Sequence, residues 1–262
     1  MPKTSEIDLG GAIMAIFKGE TGTWKSCSAC SFPGPIYIFD IDGRVKSIRK
    51  VHPTRTDIEY DTYPMDGGFD RLADKLNRLQ DNCPFKTVLI SSLTNLAEML
   101  IFYSLDQRGT GERKLNTYIR KGIIEMTEIE DFGAEARGMA TIIAALQNVN
   151  KDRKAHVILE AHVLTVEQRN LKTQTTTISR TLVTAGRKVA AKIPTVFDEV
   201  WHFNPKPAIQ EGKGMGMQVI TVNTGEDFAR TALPIPQVID ITPPKANLWE
   251  QLNQHIKLEG GK

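Results

Sequence analysis

Residues 19–26, GETGTWKS, constrain this chain more than any other stretch. They follow the apolar run Ala12-Ile13-Met14-Ala15-Ile16-Phe17 after a single lysine. A strand that runs into a glycine-rich turn and closes on Lys-Ser is the layout of a loop that cradles phosphate groups. Backbone N–H groups of Gly19, Glu20, Thr21, Gly22 and Thr23, with the positive end of the following helix, would surround a β-phosphate. Lys25 would reach the β and γ oxygens, and the Ser26 hydroxyl would ligate Mg²⁺. One position departs from the pattern, which asks for glycine directly before the lysine: Trp24 stands there. A plain strand-to-helix turn is the competing reading of these residues.

The rest of the chain gives that loop a setting. At 262 residues it is long enough to bury one full α/β core. Its formal net charge of +2 makes it no polycation, so any nucleic-acid surface has to be a local patch. The apolar runs are strand-sized, and MPKTSEIDLGG lacks both the basic flank and the apolar centre of a signal peptide, from which a cytoplasmic protein with no membrane partner is expected. Cys27 and Cys30 form a CxxC with no second pair to complete a zinc site, and Cys83 is isolated, so small buried residues are the expected role of the thiols.

Strand and helix signals alternate, which predicts a mostly parallel sheet with helices on both faces. Ile36 to Asp40 reads as a second strand, and Phe69, Leu72, Leu76 and Leu79 mark a helix over 68–80. Thr87 to Ile90 reads as a third strand, 134–148 as a helix, and His156 to His162 as a fourth strand. Two further runs, 196–203 and 218–222, flank the hairpin loop NPKPAIQEGKGMG. No boundary interrupts 1–242, and 243–262 is set apart as a C-terminal tail. In such a sheet a ligand sits at the carboxyl ends of the strands. Those ends are polar here: Asp40-Ile41-Asp42, then Ser91-Ser92-Leu93-Thr94, then His162. For each a structural alternative stands open. Either aspartate would serve to start the turn at Gly43, the serines to cap a helix, and His162 to hold a buried hydrogen bond.

The order GETGTWKS, PIYIFDIDG, TVLISSLTNL, DFGAEARGMATIIAAL, HVILEAHV, IPTVFDEVWHF resembles the RecA-type core-only ATPases of phages, relatives of KaiC and RadA that act in recombination and strand annealing. The resemblance covers about Ile13 to Leu233. It implies a RecA-like P-loop NTPase core, ATP with Mg²⁺ bound between adjacent subunits of a ring or filament, single-stranded DNA as partner, and a bacterial host cytoplasm. Carried over by position, Asp42 takes the place of the acid that polarises the attacking water, one methylene shorter than the usual glutamate. Ser91 takes the place of an aspartate that orients the Mg²⁺ water shell, and the loss of that carboxylate weakens the expected metal site. His162 takes the place of the side chain that senses the γ-phosphate, and Arg230 that of the cation supplied by a neighbouring subunit.

Between Thr165 and Lys192 lie Arg169, Lys172, Arg180, Arg187, Lys188 and Lys192, against the single acid Glu167 and among seven threonines. Such a segment, read as a loop with little apolar periodicity, suits backbone contacts to nucleic acid without base stacking. The resemblance adds a smaller basic loop, Gln107 to Lys114, with Arg108, Arg113 and Lys114 as further DNA contacts. Two functions follow: an ATP-hydrolysing recombination motor, or a nucleotide-gated DNA-binding or oligomerisation module with little hydrolysis. A KaiC-like regulatory ATPase is a third, which the basic segment disfavours.

Overall fold

The computed structural model describes residues 11–108, 129–170, 175–184, 186–206, 216–225, 227–243 and 247–259. Its central element is an eight-stranded sheet. In chain order the strands are β1 (Met14–Gly19), β2 (Ile36–Asp40), β3 (Ile58–Thr62), β4 (Thr87–Ser91), β5 (His156–Ala161), β8 (Glu199–Pro205), β9 (Met217–Ile220) and β10 (Val238–Asp240). Their spatial order is β10-β9-β8-β1-β5-β4-β2-β3. The pairs from β8 across to β3 are parallel, while β9 and β10 add an antiparallel end. The expected α/β fold, a mostly parallel sheet with helices on both faces, is the fold observed.

The parallel strands are read easily because both of their faces are covered, which selects unbroken apolar runs. Every residue of β2, β4 and β5 is buried. Alternate side chains enter opposite layers. Ile16, Tyr37, Phe39, Val88, Ile90, Val157 and Leu159 meet α3 (Phe69–Asp81), α4 (Leu93–Arg108) and α5 (Ile129–Arg153). Ala15, Phe17, Ile36, Ile38, Leu89 and Ile158 meet the other layer, formed by α1 (Lys25–Ala29), α2 (Val45–Val51) and α7 (Leu248–Glu259). α3 follows from its spacing: Leu72, Leu76 and Leu79 fall on one stripe and all three are buried.

Two regions differ from the sequence reading. The segment set apart as a tail carries α7, whose Leu248 and Leu252 are fully buried, while Trp249 packs its ring against Phe32 and His156 at 4.9 and 4.8 Å between centroids. The apolar residues recur at one-turn spacing, and that seats the helix on the core. The basic segment is also not a loop. β6 (Val163–Asn170) and β7 (Thr175–Leu182) pair antiparallel as a separate hairpin, with Val163 opposite Leu182 and Asn170 opposite Thr175, and α6 (Arg187–Lys192) follows. Threonine, valine and isoleucine are stiff at χ1 and favour extended backbone, even where no apolar face announces a strand. No helix among the described residues is long and apolar enough to cross a membrane.

The connection leaving β1 runs toward β2, whereas the one leaving β5 passes through the hairpin toward β8 on the far side of β1. The chain therefore changes direction between β1 and β5, and a crevice opens at the carboxyl ends of those strands.

Candidate nucleotide site

The loop begins where β1 reaches β8. A side chain on Gly19 would put its Cβ 2.4 Å from the Phe203 carbonyl oxygen and 2.9 Å from Thr23 Oγ1, so only glycine fits. The turn is closed by Thr23, whose hydroxyl donates to the Glu20 carbonyl at 2.8 Å. Gly22 has φ +82°, a left-handed conformation that favours glycine. Trp24 is left-handed too, at φ 66° and ψ 17°, which explains why glycine is the usual residue there. For an indole-bearing residue that backbone costs about 1–2 kcal/mol. The ring is partly buried against the α1 side of the core and lines the cleft without filling it.

Lys25 is folded back into the loop. Its ammonium donates to the carbonyls of Gly19 at 2.8 Å and Glu20 at 2.7 Å. Burial lowers its pKa to about 8, although Glu160 and Asp42 favour the charged form. A phosphate arriving here would replace weak carbonyl acceptors by a full negative charge, a gain the lysine can realise by a small swing. Because α1 is only five residues long, the loop's own N–H groups rather than a long helix dipole have to carry the anion.

The strand ends converge opposite the loop. Asp40 turns to the chain itself: the Arg44 N–H donates to its Oδ1 at 3.0 Å, so it is the turn-starting acid. Asp42 instead faces the cleft. Its Oδ1 accepts from Ser92 Oγ at 2.9 Å, and His162 Nε2 lies 3.6 Å from Oδ2. Burial pushes the Asp42 carboxyl up, but His162 and Ser92 outweigh it, leaving the pKa below its ordinary value. The Asn95 N–H reaches Ser92 Oγ at 3.4 Å, at the start of α4, so this serine serves both the helix and the acid. The backbone N–H of His162 donates to Thr94 Oγ1 at 3.1 Å, and its ring looks into the cleft.

Glu160 is the residue that the sequence reading passed over. It is the fifth residue of β5, 3 % exposed, and its Oε2 accepts from both Ser26 Oγ at 2.9 Å and Ser91 Oγ at 3.0 Å. Burial raises its pKa to about 7, against the opposing pull of Lys25 and the two serines. Its signal was present: an acid inside HVILEAHV interrupts a strand that is apolar on both faces, where an unpaired charge is costly. Arg44, Ser47 and Lys50, from α2 and the turn before it, complete the cleft wall. They too were missed, because α2 buries only Ile48 and gives almost no periodic signal.

Thr21 to Ser26, Asp42, Ser91, Glu160 and His162, with Arg44, Ser47 and Lys50, line a cleft of about 470 Å³, in the range of small-molecule sites, while Gly19 and Glu20 shape the loop behind it. Arg230 is not among them. Its guanidinium is held by its own chain, donating from Nε to the Phe197 carbonyl at 2.7 Å and from Nη2 to the carbonyls of Phe197 and Thr195. Of the basic residues, Arg108 ends α4, Arg169 lies on β6, Arg180 on β7, and Arg187 and Lys188 open α6. Arg113, Lys114 and Lys172 lie outside the described residues. The cysteines are free thiols, and burial raises the Cys27 pKa to about 11. Among the described residues no group of three His, Cys, Asp or Glu could hold a metal ion.

A strand, a phosphate-shaped turn with Lys-Ser at its end, and polar strand ends across a switch point define a nucleotide-binding P-loop NTPase core. A family model described as an AAA domain matches residues 12–231, and the chain belongs to that family. No curated protein matches it.

Proposed function

We propose that the protein is a RecA-like ATPase of the phage recombination type, binding ATP with Mg²⁺ in the cleft, assembling as a homo-oligomer and acting on single-stranded DNA. One observation carries the reading: His162 is the single residue between β5, which ends in the cleft, and β6, which starts the basic hairpin. A side chain there lines the cleft on one side and is continuous with a cationic hairpin on the other, so a change at a bound phosphate would have a one-residue route to the DNA segment.

Lys25 and the N–H groups of 19–24 would bind the triphosphate, and Ser26 would hold Mg²⁺, which supplies charge neutralisation across the phosphates. A buried carboxylate beside that serine, one of whose oxygens has no hydrogen-bond partner among the described residues, fits a divalent cation. Asp42, kept ionised by His162 and Ser92, would orient the attacking water as a hydrogen-bond acceptor. For Arg230 to serve a neighbouring subunit, its guanidinium would have to leave three hydrogen bonds to two carbonyls.

The test is single-stranded DNA binding against salt, with phosphate release measured in parallel. Neutralising Arg169, Lys172, Arg180, Arg187 and Lys188 together should weaken DNA binding and flatten its salt dependence, each lost contact lowering the slope by about 0.7. Unchanged affinity and slope would remove the DNA reading. Tight ATP binding with DNA-insensitive, near-zero phosphate release would favour the nucleotide-gated module instead, a reading that Trp24 and Ser91 support.

A further inference from the structure

Ser91 ends β4 where a P-loop enzyme of the resembled kind carries an acid, and the structure brings an acid to that spot from the neighbouring strand. β4 and β5 are parallel with Ile90 opposite Leu159, which sets Ser91 beside Glu160. The carboxylate accepts from the Ser91 hydroxyl on one side and the Ser26 hydroxyl on the other. It therefore joins the loop serine suited to ligate a cation to the strand end suited to hold that cation's waters. Neighbouring strands lie roughly 4.8 Å apart. Glutamate has one methylene more than aspartate, and the added reach lets a side chain rooted on β5 deliver its charge to the end of β4. Glu160 Oε1 is buried and has no hydrogen-bond partner among the described residues. A native buried carboxylate oxygen without a partner calls for an ion or water that completes it.

We propose that Glu160 is the cation-holding carboxylate of this cleft, replacing from β5 the charge that Ser91 removes from β4, and that it orders the waters of a nucleotide-bound divalent cation. The proposal rests on the nucleotide reading above. Mg²⁺ is usually held by one or two carboxylates together with substrate phosphates and retains several waters, which matches one buried acid beside one serine. A purely structural glutamate would need no free oxygen and no place in the cleft wall.

Calorimetry with a non-hydrolysable ATP analogue, in EDTA and in Mg²⁺, tests this on the wild type, Glu160→Gln, and Glu160→Gln combined with Ser91→Asp. Thermal melts without ligand verify folding of each. The wild type should bind in EDTA and bind more tightly in Mg²⁺. Glu160→Gln should keep the EDTA affinity and lose roughly 10- to 100-fold in cation affinity, the usual loss when a partner that orders a metal's shell is removed. Adding Ser91→Asp should restore the Mg²⁺ dependence, which a merely structural role of Glu160 would not produce. Unchanged Mg²⁺ dependence in Glu160→Gln overturns the proposal, and so does loss of binding in both conditions that Ser91→Asp fails to repair. A wild type that binds no nucleotide even in EDTA defeats the underlying nucleotide reading, a result distinct from both.

Discussion

Glu160 and Asp227 are two buried acids beside the same phosphate loop, and the chain treats them in opposite ways. Asp227 is neutralised: Lys18, the residue before Gly19, donates to its Oδ1, and His202 Nδ1 stands 2.7 Å from Oδ2. Lys18 and His202 are themselves register partners on β1 and β8. Burial pushes the Asp227 carboxyl up, but His202 and Lys18 outweigh it and hold its pKa below the ordinary value. Glu160 meets two serine hydroxyls and, among the described residues, no ion-pair partner. Burial outweighs Lys25 and the serines and raises its pKa to about 7. An acid with its lysine already in place stabilises the fold, whereas one that meets only hydroxyls is set to receive a cation. Asp227 also bridges by backbone to Arg180 on β7, so the ion-paired cluster fastens the base of the basic hairpin to the sheet.

The largest expected effect separates the two directly. Asp227→Ala leaves Lys18 and His202 buried without their acid and should cost about 3–5 kcal/mol in urea unfolding. A silent Asp227→Ala would erase the contrast. For Glu160 the sign reverses. A folded-state pKa raised from 4.5 to about 7 means that the folded chain favours the protonated acid. The associated stability is fully present below pH 4.5 and lost as pH rises through 7, by up to about 3 kcal/mol. Glu160→Gln, neutral throughout, should therefore gain on the ligand-free wild type over that window, and a stability difference independent of pH would contradict the unmet charge.

His156 makes the comparison between variant and wild type necessary. Burial lowers its pKa from 6.5 to about 4 beside Trp249 and Phe32. Its contribution is present above pH 6.5 and lost as pH falls through 4, the opposite slope over nearly the same range. The wild-type profile alone would mix the two. His156→Gln should flatten the acid limb while leaving the alkaline loss from Glu160 in place.

The smallest expected effect falls on the loop. Trp24→Gly relieves a left-handed backbone worth about 1–2 kcal/mol and forfeits a partly buried indole of similar value. Net stability should shift by no more than about 1 kcal/mol, with nucleotide binding kept. Loss of folding in that variant would make Trp24 a core residue first.

What the sequence disclosed follows what burial imposes on it. β1, β2, β4 and β5 are covered on both faces, so their apolar runs stand out, as does the Leu72-Leu76-Leu79 stripe of α3. β3 did not stand out because it is an edge strand that leaves Glu59, Tyr60 and Thr62 exposed. The hairpin β6–β7 stands apart from the large sheet except for the bridge at Arg180, and only its base, Val163 and Leu182, packs on the core, so little of it is patterned by burial. Within the cleft, the loop residues and Asp42 were legible through local spacing. Glu160 was not, because its meaning depends on β5 lying next to β4, a neighbour set by the fold and invisible along the chain.

Every role proposed for the cleft depends on a nucleotide held at residues 19–26 by Lys25. Calorimetric titration of ATP into the wild type and Lys25→Ala tests it most directly, with the melting temperature of each measured alongside. Binding by the wild type and none by a folded Lys25→Ala is expected; equal affinity in the two proteins would take the nucleotide away from this loop.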